Sequence, residues 1–261
     1  MAIHIGVGGW VFAPWRGSFY PEGLPQKQEL RYAAERLTGI EINGTYYGAQ
    51  KPESFARWRA EAPEGFVFAL KGSRFVTNRR VLAEAGPSVE KFCASGIAEL
   101  GDKLGPINWQ LPPTKRFDAA DIAAFLALLP KSAGGIALRH AIEPRHESFR
   151  DTAFVDLCRD HGVAIITGAD GEYPTITDLT APFAYLRIMG TTGDHEAGYA
   201  PKALDAWAKR AKALAKGEGL DDLAPAVAKP AKKVPRDVFL FVISGEKQRN
   251  PAAAMALIDR L

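Results

Sequence analysis

Short β-rich runs alternate with helical runs along almost the whole chain, and that rhythm is the strongest constraint on what it can fold into. Strands separated by helices do not pair as hairpins; they pair in parallel, each crossover returning across the sheet as a helix. Strand-like runs fall at 4–9, 39–43, 66–71, 106–111, 136–143, 163–168, 183–189 and 237–243. Apolar residues recur at helical spacing in 26–37, 53–62, 88–101, 118–129, 152–161 and 201–216, with a last helix over 251–261. The helix between the sixth and seventh strands is missing or short. Eight such units in 261 residues match a (β/α)8 TIM barrel, an α/β fold, better than an open doubly wound sheet, and no GxGxxG follows the first strand. The expectation is a single TIM-barrel domain over residues 1–261, irregular around its sixth and seventh units. The Ala-, Lys- and Pro-rich segment 217–236 reads as an exposed excursion, whose cations Lys229, Lys232, Lys233 and Arg236 fit a solvated linker better than a phosphate contact.

Composition narrows the function classes. The longest apolar runs, such as 66–70 and 238–243, are strand-sized, far short of the roughly 18 residues that a membrane span needs. The first residues enter a strand-like alternation at once, without a basic region followed by an apolar one, so a cytoplasmic location is expected. A net charge of +3 helps an anionic ligand approach without demanding nucleic acid. Cys93 and Cys158 lie in helical runs with no CxxC pair, and read as buried reduced thiols.

Alternate residues of a barrel strand point to the lumen and to the helical layer, so polar residues of one parity mark the lumen face. In the second strand these are Glu41 and Asn43; in the third, Lys71; in the fourth, Asn108 and Gln110; in the seventh, Tyr185 and Arg187. The fifth places Arg139, Glu143 and Arg145 on one parity, beside the small Ala137 and Ala141. Charges facing a barrel interior must be paired or solvated. A purely structural ion network and a working site are therefore both open, and barrel enzymes place their chemistry at the carboxyl ends of the strands, where several of these residues fall.

As an active site, this set offers Glu143, Glu41 and His146 for acid–base chemistry. Asn43, Tyr46, Lys71, Arg74, Gln110, Arg145, Arg187 and Trp10 would bind substrate, the arginines clamping a carboxylate or phosphate with their planar forks. The aromatic cluster Trp10, Phe12, Trp15, Phe19, Tyr20, Tyr46 and Tyr47 either stacks on a ring or packs as a roof over the mouth. His140 has the helical-layer parity and reads as structural, whereas His161 and His195 read as surface residues. No residue is assigned to a metal: His4, His146, Glu41, Glu143 and Asp170 are dispersed, no compact ligand motif is present and a divalent ion is not favoured. There is no organic-cofactor motif and no GxSxG elbow.

Several of these segments together resemble the YecE-like family, bacterial domain of unknown function 72. They are Val7-Gly8-Gly9-Trp10 through Trp15-Arg16-Gly17-Ser18-Phe19-Tyr20-Pro21, then 41–47, 63–68, 104–113 and Glu143-Pro144-Arg145-His146 with Ser148 after it. The resemblance implies a barrel fold and no defined reaction. It breaks at the exit of the last strand, Ser244-Gly245-Glu246, where related proteins are rich in Asn and Asp, which implies an altered rim. The expected function is an enzyme, with hydrolase, lyase and isomerase chemistry all open, acting by acid–base chemistry on a small polar or anionic, sugar- or phosphate-like substrate at the rim. The alternative is a non-catalytic binding module for nucleic acid or a phosphorylated ligand, using the basic rim, the aromatics and the Lys-rich excursion.

Overall fold

In the computed structural model, which describes all 261 residues, eight parallel strands close into a barrel. They are Ile3–Gly8, Gly39–Ile42, Val67–Lys71, Leu104–Gln110, His140–Glu143, Ala164–Ala169, Phe183–Ile188 and Asp237–Val242. Neighbours in sequence are neighbours in the sheet, and the first strand pairs with both the second (Gly6 opposite Gly39) and the eighth (Val7 opposite Val242). That closure requires glycine: a Cβ on Gly6 would lie 1.7 Å from the Gly39 carbonyl oxygen.

The two strand faces fill different cores. One apolar cluster occupies the lumen and includes Val67, Ala69, Ala141, Ile166, Phe183, Phe239 and Phe241. A far larger one lies between the strands and the helices. The helical layer comprises Glu29–Ala34, Pro52–Glu61, Gly86–Cys93, Ala119–Ala127, Thr152–His161, Pro201–Ala215 and Asn250–Ile258. Asp118 and Asp151 start two of them, each accepting a backbone N–H of the first turn. His140 belongs to this layer, as its parity predicts: Nδ1 accepts from Trp109 Nε1 at 3.1 Å, so Nε2 carries the proton that the Pro130 carbonyl accepts. Both cysteines are buried, and burial pushes the Cys93 thiol up to about 12.

The fifth unit departs from the expectation of one strand over 136–143. Gly134 and Gly135, both at positive φ (54° and 78°), turn a two-stranded hairpin between Ser132–Ala133 and Ile136–Ala137, and the barrel strand begins only at His140. Arg139 therefore does not join the charges at the mouth. It sits at the amino end of the barrel, 4.8 Å from the Phe239 ring centroid and 3.9 Å from Asp237, donating to the Leu104 carbonyl.

No helix forms between the sixth and seventh strands. Segment 217–236 contains neither helix nor strand, but it is not a free loop. Leu220 is buried in the main core, the Val227 carbonyl accepts from Thr152, and the Lys229 carbonyl accepts from Arg159. Thr177 donates to the Ala224 carbonyl, and Asp178 accepts the N–H groups of Val227 and Ala228. These contacts lay the segment against the helix before the gap and the connection across it, where a sixth helix would pack. Arg236 is 4% exposed and donates to the carbonyls of Ala181, Val234 and Lys232 as the chain enters the eighth strand. It is thus a buried clamp at the end opposite the mouth, and offers nothing to a phosphate. No helix is long and apolar enough to cross a membrane.

Candidate active site at the barrel mouth

Lumen parity carries the polar residues of the second, fourth, fifth and seventh strands to the carboxyl end, where they form one network around Arg187. This guanidinium is 1% exposed and bridges two buried carboxylates: Nη2 donates to Glu41 Oε1 at 3.0 Å and Nη1 to Glu143 Oε2. Asn108 Nδ2 lies between the same carboxylates, 3.2 Å from Glu41 Oε2 and 3.3 Å from Glu143 Oε2. The Tyr185 hydroxyl donates to Glu41 Oε2. Arg145 Nε donates to Glu143 Oε1 at 2.9 Å, while Gln110 Oε1 accepts from both Arg145 (2.9 Å) and Arg187 (3.2 Å). Every carboxylate oxygen is thereby engaged. Two buried polar atoms, Asn108 Oδ1 and Arg187 Nε, have no partner.

Burial alone would raise the Glu143 pKa, but Arg187 and then Arg145 outweigh it and hold the carboxyl below the usual carboxylate range. Burial likewise opposes charge on Arg187, and Glu143 and Glu41 overcome it. Tyr185 is pushed well above the usual phenol value, by burial first and by Glu41 second, so it remains a neutral donor.

Lys71, at the end of the third strand, is different. It is half-buried, its ammonium lies 4.5 Å from the centroid of the Tyr46 ring, and no carboxylate is in ion-pair contact with it. Burial, with Arg187 adding repulsion, brings its pKa down to about 8, against the opposing pull of Glu41 and Glu143. Lys71, Arg145 and Arg187 against Glu41 and Glu143 leave the mouth with one cation in excess.

The other expected residues take several positions. Arg145 is partly exposed and its guanidinium lies 4.2 Å from the Tyr173 ring centroid. Tyr46 donates to Asn78 Oδ1 at 3.3 Å, and Asn43 follows the second strand, its amide 3.5 Å from the Glu41 carbonyl. His146 caps the short helical turn 147–149: Nδ1 accepts the Ser148 backbone N–H at 3.1 Å and faces the Ser148 hydroxyl at 2.9 Å. Its neutral ring therefore carries the proton on Nε2, and can donate there but not accept. Arg74 is exposed beside the rings of Tyr47 and Phe75. Trp10 packs edge-on against Trp58, ring centroids 5.2 Å apart, while Trp15, Phe19 and Tyr20 are buried against one another. The first-strand aromatics thus follow the packed-roof reading. No group of three or more His, Cys, Asp or Glu side chains is arranged to hold a metal ion. Tyr173 lies in the irregular connection after the sixth strand, where no period marks it, whereas Asn108 and Tyr185 are recoverable from strand parity alone.

The fold and this mouth define a class: a TIM-barrel protein with a charged, predominantly buried site at the carboxyl ends of its strands. More narrowly, the chain belongs to the DUF72 family, described as proteins of unknown function, whose model matches residues 4–261. The UPF0759 protein YecE of Escherichia coli K12 is 26% identical over 147 residues, 56% of this chain and 50% of that protein, so the match spans about half the length of that relative. A DUF72 family protein of Thermotoga maritima superposes with a TM-score of 0.73 at 21% identity, covering 99% of this chain and 97% of that one. One from Enterococcus faecalis gives 0.67 at 16% identity, covering 99% and 94%. These structural likenesses establish the fold alone.

Proposed function

We propose that the mouth is the active site of an enzyme acting on a small anionic metabolite, with Lys71 as the proton-transferring amine and Arg145 as the anchor for the anion. The observation that carries this reading is Lys71 itself: an amine at a strand's carboxyl end, lowered to about 8 and bonded to no carboxylate. Such a group gives and takes a proton near neutral pH, which a surface lysine does not. The single excess cation suits an anion, and the Arg145 side chain is 15% exposed, with Nη1 left without a protein partner. Glu41 and Glu143 act here as positioning residues that hold the arginines. The acid–base role expected of them passes to Lys71, because every oxygen of the two carboxylates already accepts a hydrogen bond, and Arg187 and Arg145 favour the charged form of Glu143. His146 contributes at most a donor. Hydrolase, lyase and isomerase chemistry all remain compatible with this set.

The test is binding of small phosphates and carboxylates by calorimetry to the wild type, Lys71→Met and Arg145→Met. Binding weakened about tenfold or more in both variants, with folding retained, supports the reading; no binding, or binding indifferent to both changes, overturns it. A second, non-catalytic reading, a nucleic-acid surface, is favoured by the exposed rings of Tyr47 and Phe75, whose centroids lie 5.9 and 5.4 Å from the Arg74 guanidinium. Binding of that kind would weaken steeply with salt and survive Lys71→Met.

A further inference from the structure

Beside the mouth, on the rim of the second and third units, lies a separate cavity of about 340 Å³. Its lining includes Thr45, Ser73, Phe75, Arg79, Ser88 and Lys91. We propose that this cavity is a ligand site for a small aromatic or heteroaromatic ring carrying one phosphate or carboxylate group, independent of whether the mouth is catalytic.

The charge pattern comes first. Arg79 and Lys91 both line the cavity, no carboxylate does, and neither cation is in an ion pair. Unpaired cations are ordinary on a surface, but Arg79 is fixed. Its Nε donates to the Phe75 carbonyl at 3.0 Å and its Nη2 to Ser88 Oγ at 3.2 Å, which sets the plane of the guanidinium and leaves Nη1 without a protein partner. An oriented guanidinium loses little freedom on meeting an anion. The apolar half is supplied by Phe75, 60% exposed at the cavity wall, and by the buried Phe92, which also lines it. An exposed ring beside an oriented cation matches a planar ligand with a charged end.

Size selects among such ligands. A cavity of about 340 Å³ is at the lower end for small-molecule sites, enough for one substituted ring and too little to enclose a polymer. The floor is rigid: the Thr45 hydroxyl lies 2.7 Å from the Lys71 carbonyl and 2.9 Å from that of Ile42. The cavity is therefore built on the same strand ends as the mouth, but none of the charged mouth residues lines it.

The experiment is calorimetric titration with phenyl phosphate and benzoate, using inorganic phosphate and phenol as controls, on the wild type and on Phe75→Ala, Arg79→Gln, Lys91→Gln and Lys71→Met. The three cavity changes are at exposed positions, and thermal melts check that each variant is folded. One of the ring-bearing anions is expected to bind at a single site that Lys71→Met leaves in place, about tenfold or more tighter there than either control. Each cavity variant should weaken it about threefold or more, with Lys71→Met leaving it within about twofold. Whichever probe binds tighter identifies the anion. Binding no tighter than the controls, or undiminished in the three cavity variants, overturns the proposal. Loss in Lys71→Met alone would locate the anion at the mouth and overturn it as well.

Discussion

The Lys71 ammonium faces the ring of Tyr46, 4.5 Å from its centroid, instead of a carboxylate. The folded amine titrates at about 8 and an ordinary lysine at 10.5, so between those values the unfolded chain holds a proton that the folded chain has released. This group's contribution to stability therefore rises as pH climbs through that window, and its penalty is greatest below it. Lys71→Met is expected to stabilise the protein at neutral pH by about 1–3 kcal/mol, allowing for partial exposure, and to flatten the rise at alkaline pH. Urea unfolding across that range checks both, and an unchanged stability at neutral pH would mean that the amine is as well solvated as a surface lysine.

Arg187 neutralises two buried carboxylates at once. Its replacement by Met should cost about 3–5 kcal/mol at neutral pH. Because Glu143 is held below its ordinary 4.5, the wild type loses this contribution as pH falls through and below that value. The variant's carboxylates, without their guanidinium, take up protons earlier, so the gap between the two proteins should narrow in acid. A gap that does not change with pH would show that shape rather than charge dominates the network.

Asp178 fastens segment 217–236 by accepting the N–H of Val227 at 2.8 Å and of Ala228 at 2.9 Å. Asp178→Ala should cost about 1–3 kcal/mol and expose the segment to trypsin at Lys232 and Lys233, the Lys229–Pro230 bond being resistant to that protease. The rate of cleavage at those lysines, followed by mass spectrometry, is the measurement. Equal rates in the two proteins would mean that apolar packing alone holds the segment.

Gly6→Ala tests barrel closure. With a Cβ 1.7 Å from the Gly39 oxygen, the first two strands cannot keep their pairing, and the variant should lose cooperative unfolding or at least about 3 kcal/mol. Gly48→Ala, at an extended residue with open space around it, is the control and should melt within a few degrees of the wild type.

The barrel was legible because its strands keep strict parity. Glu41, Asn108, Glu143, Tyr185 and Arg187 share the lumen face that alternation assigns them, and they meet for that reason. Parity fixes a face but not a height, which is why Arg139 could be grouped with Glu143 although a glycine turn starts its strand late and leaves it at the other end. Nor does a sequence report who pairs with whom: Arg187 bridges Glu41 and Glu143, while Lys71 has no carboxylate in ion-pair contact. Tyr173 and the docking of 217–236 were hidden by aperiodic chain, where backbone and side-chain hydrogen bonds decide the path and leave no repeat to read.

That docking also has a consequence for synthesis. The outer faces of the sixth and seventh strands, Ile165 and Leu186 among them, belong to the main core, and the chain that covers the side between them includes Leu220, Val227 and Ala228. A nascent chain emerging in order exposes this wall before its cover has left the ribosome. The apolar flank stays wet, or in the keeping of a chaperone, until the segment just ahead of the last strand arrives, so the closing of the barrel and the covering of its open flank fall at nearly the same moment.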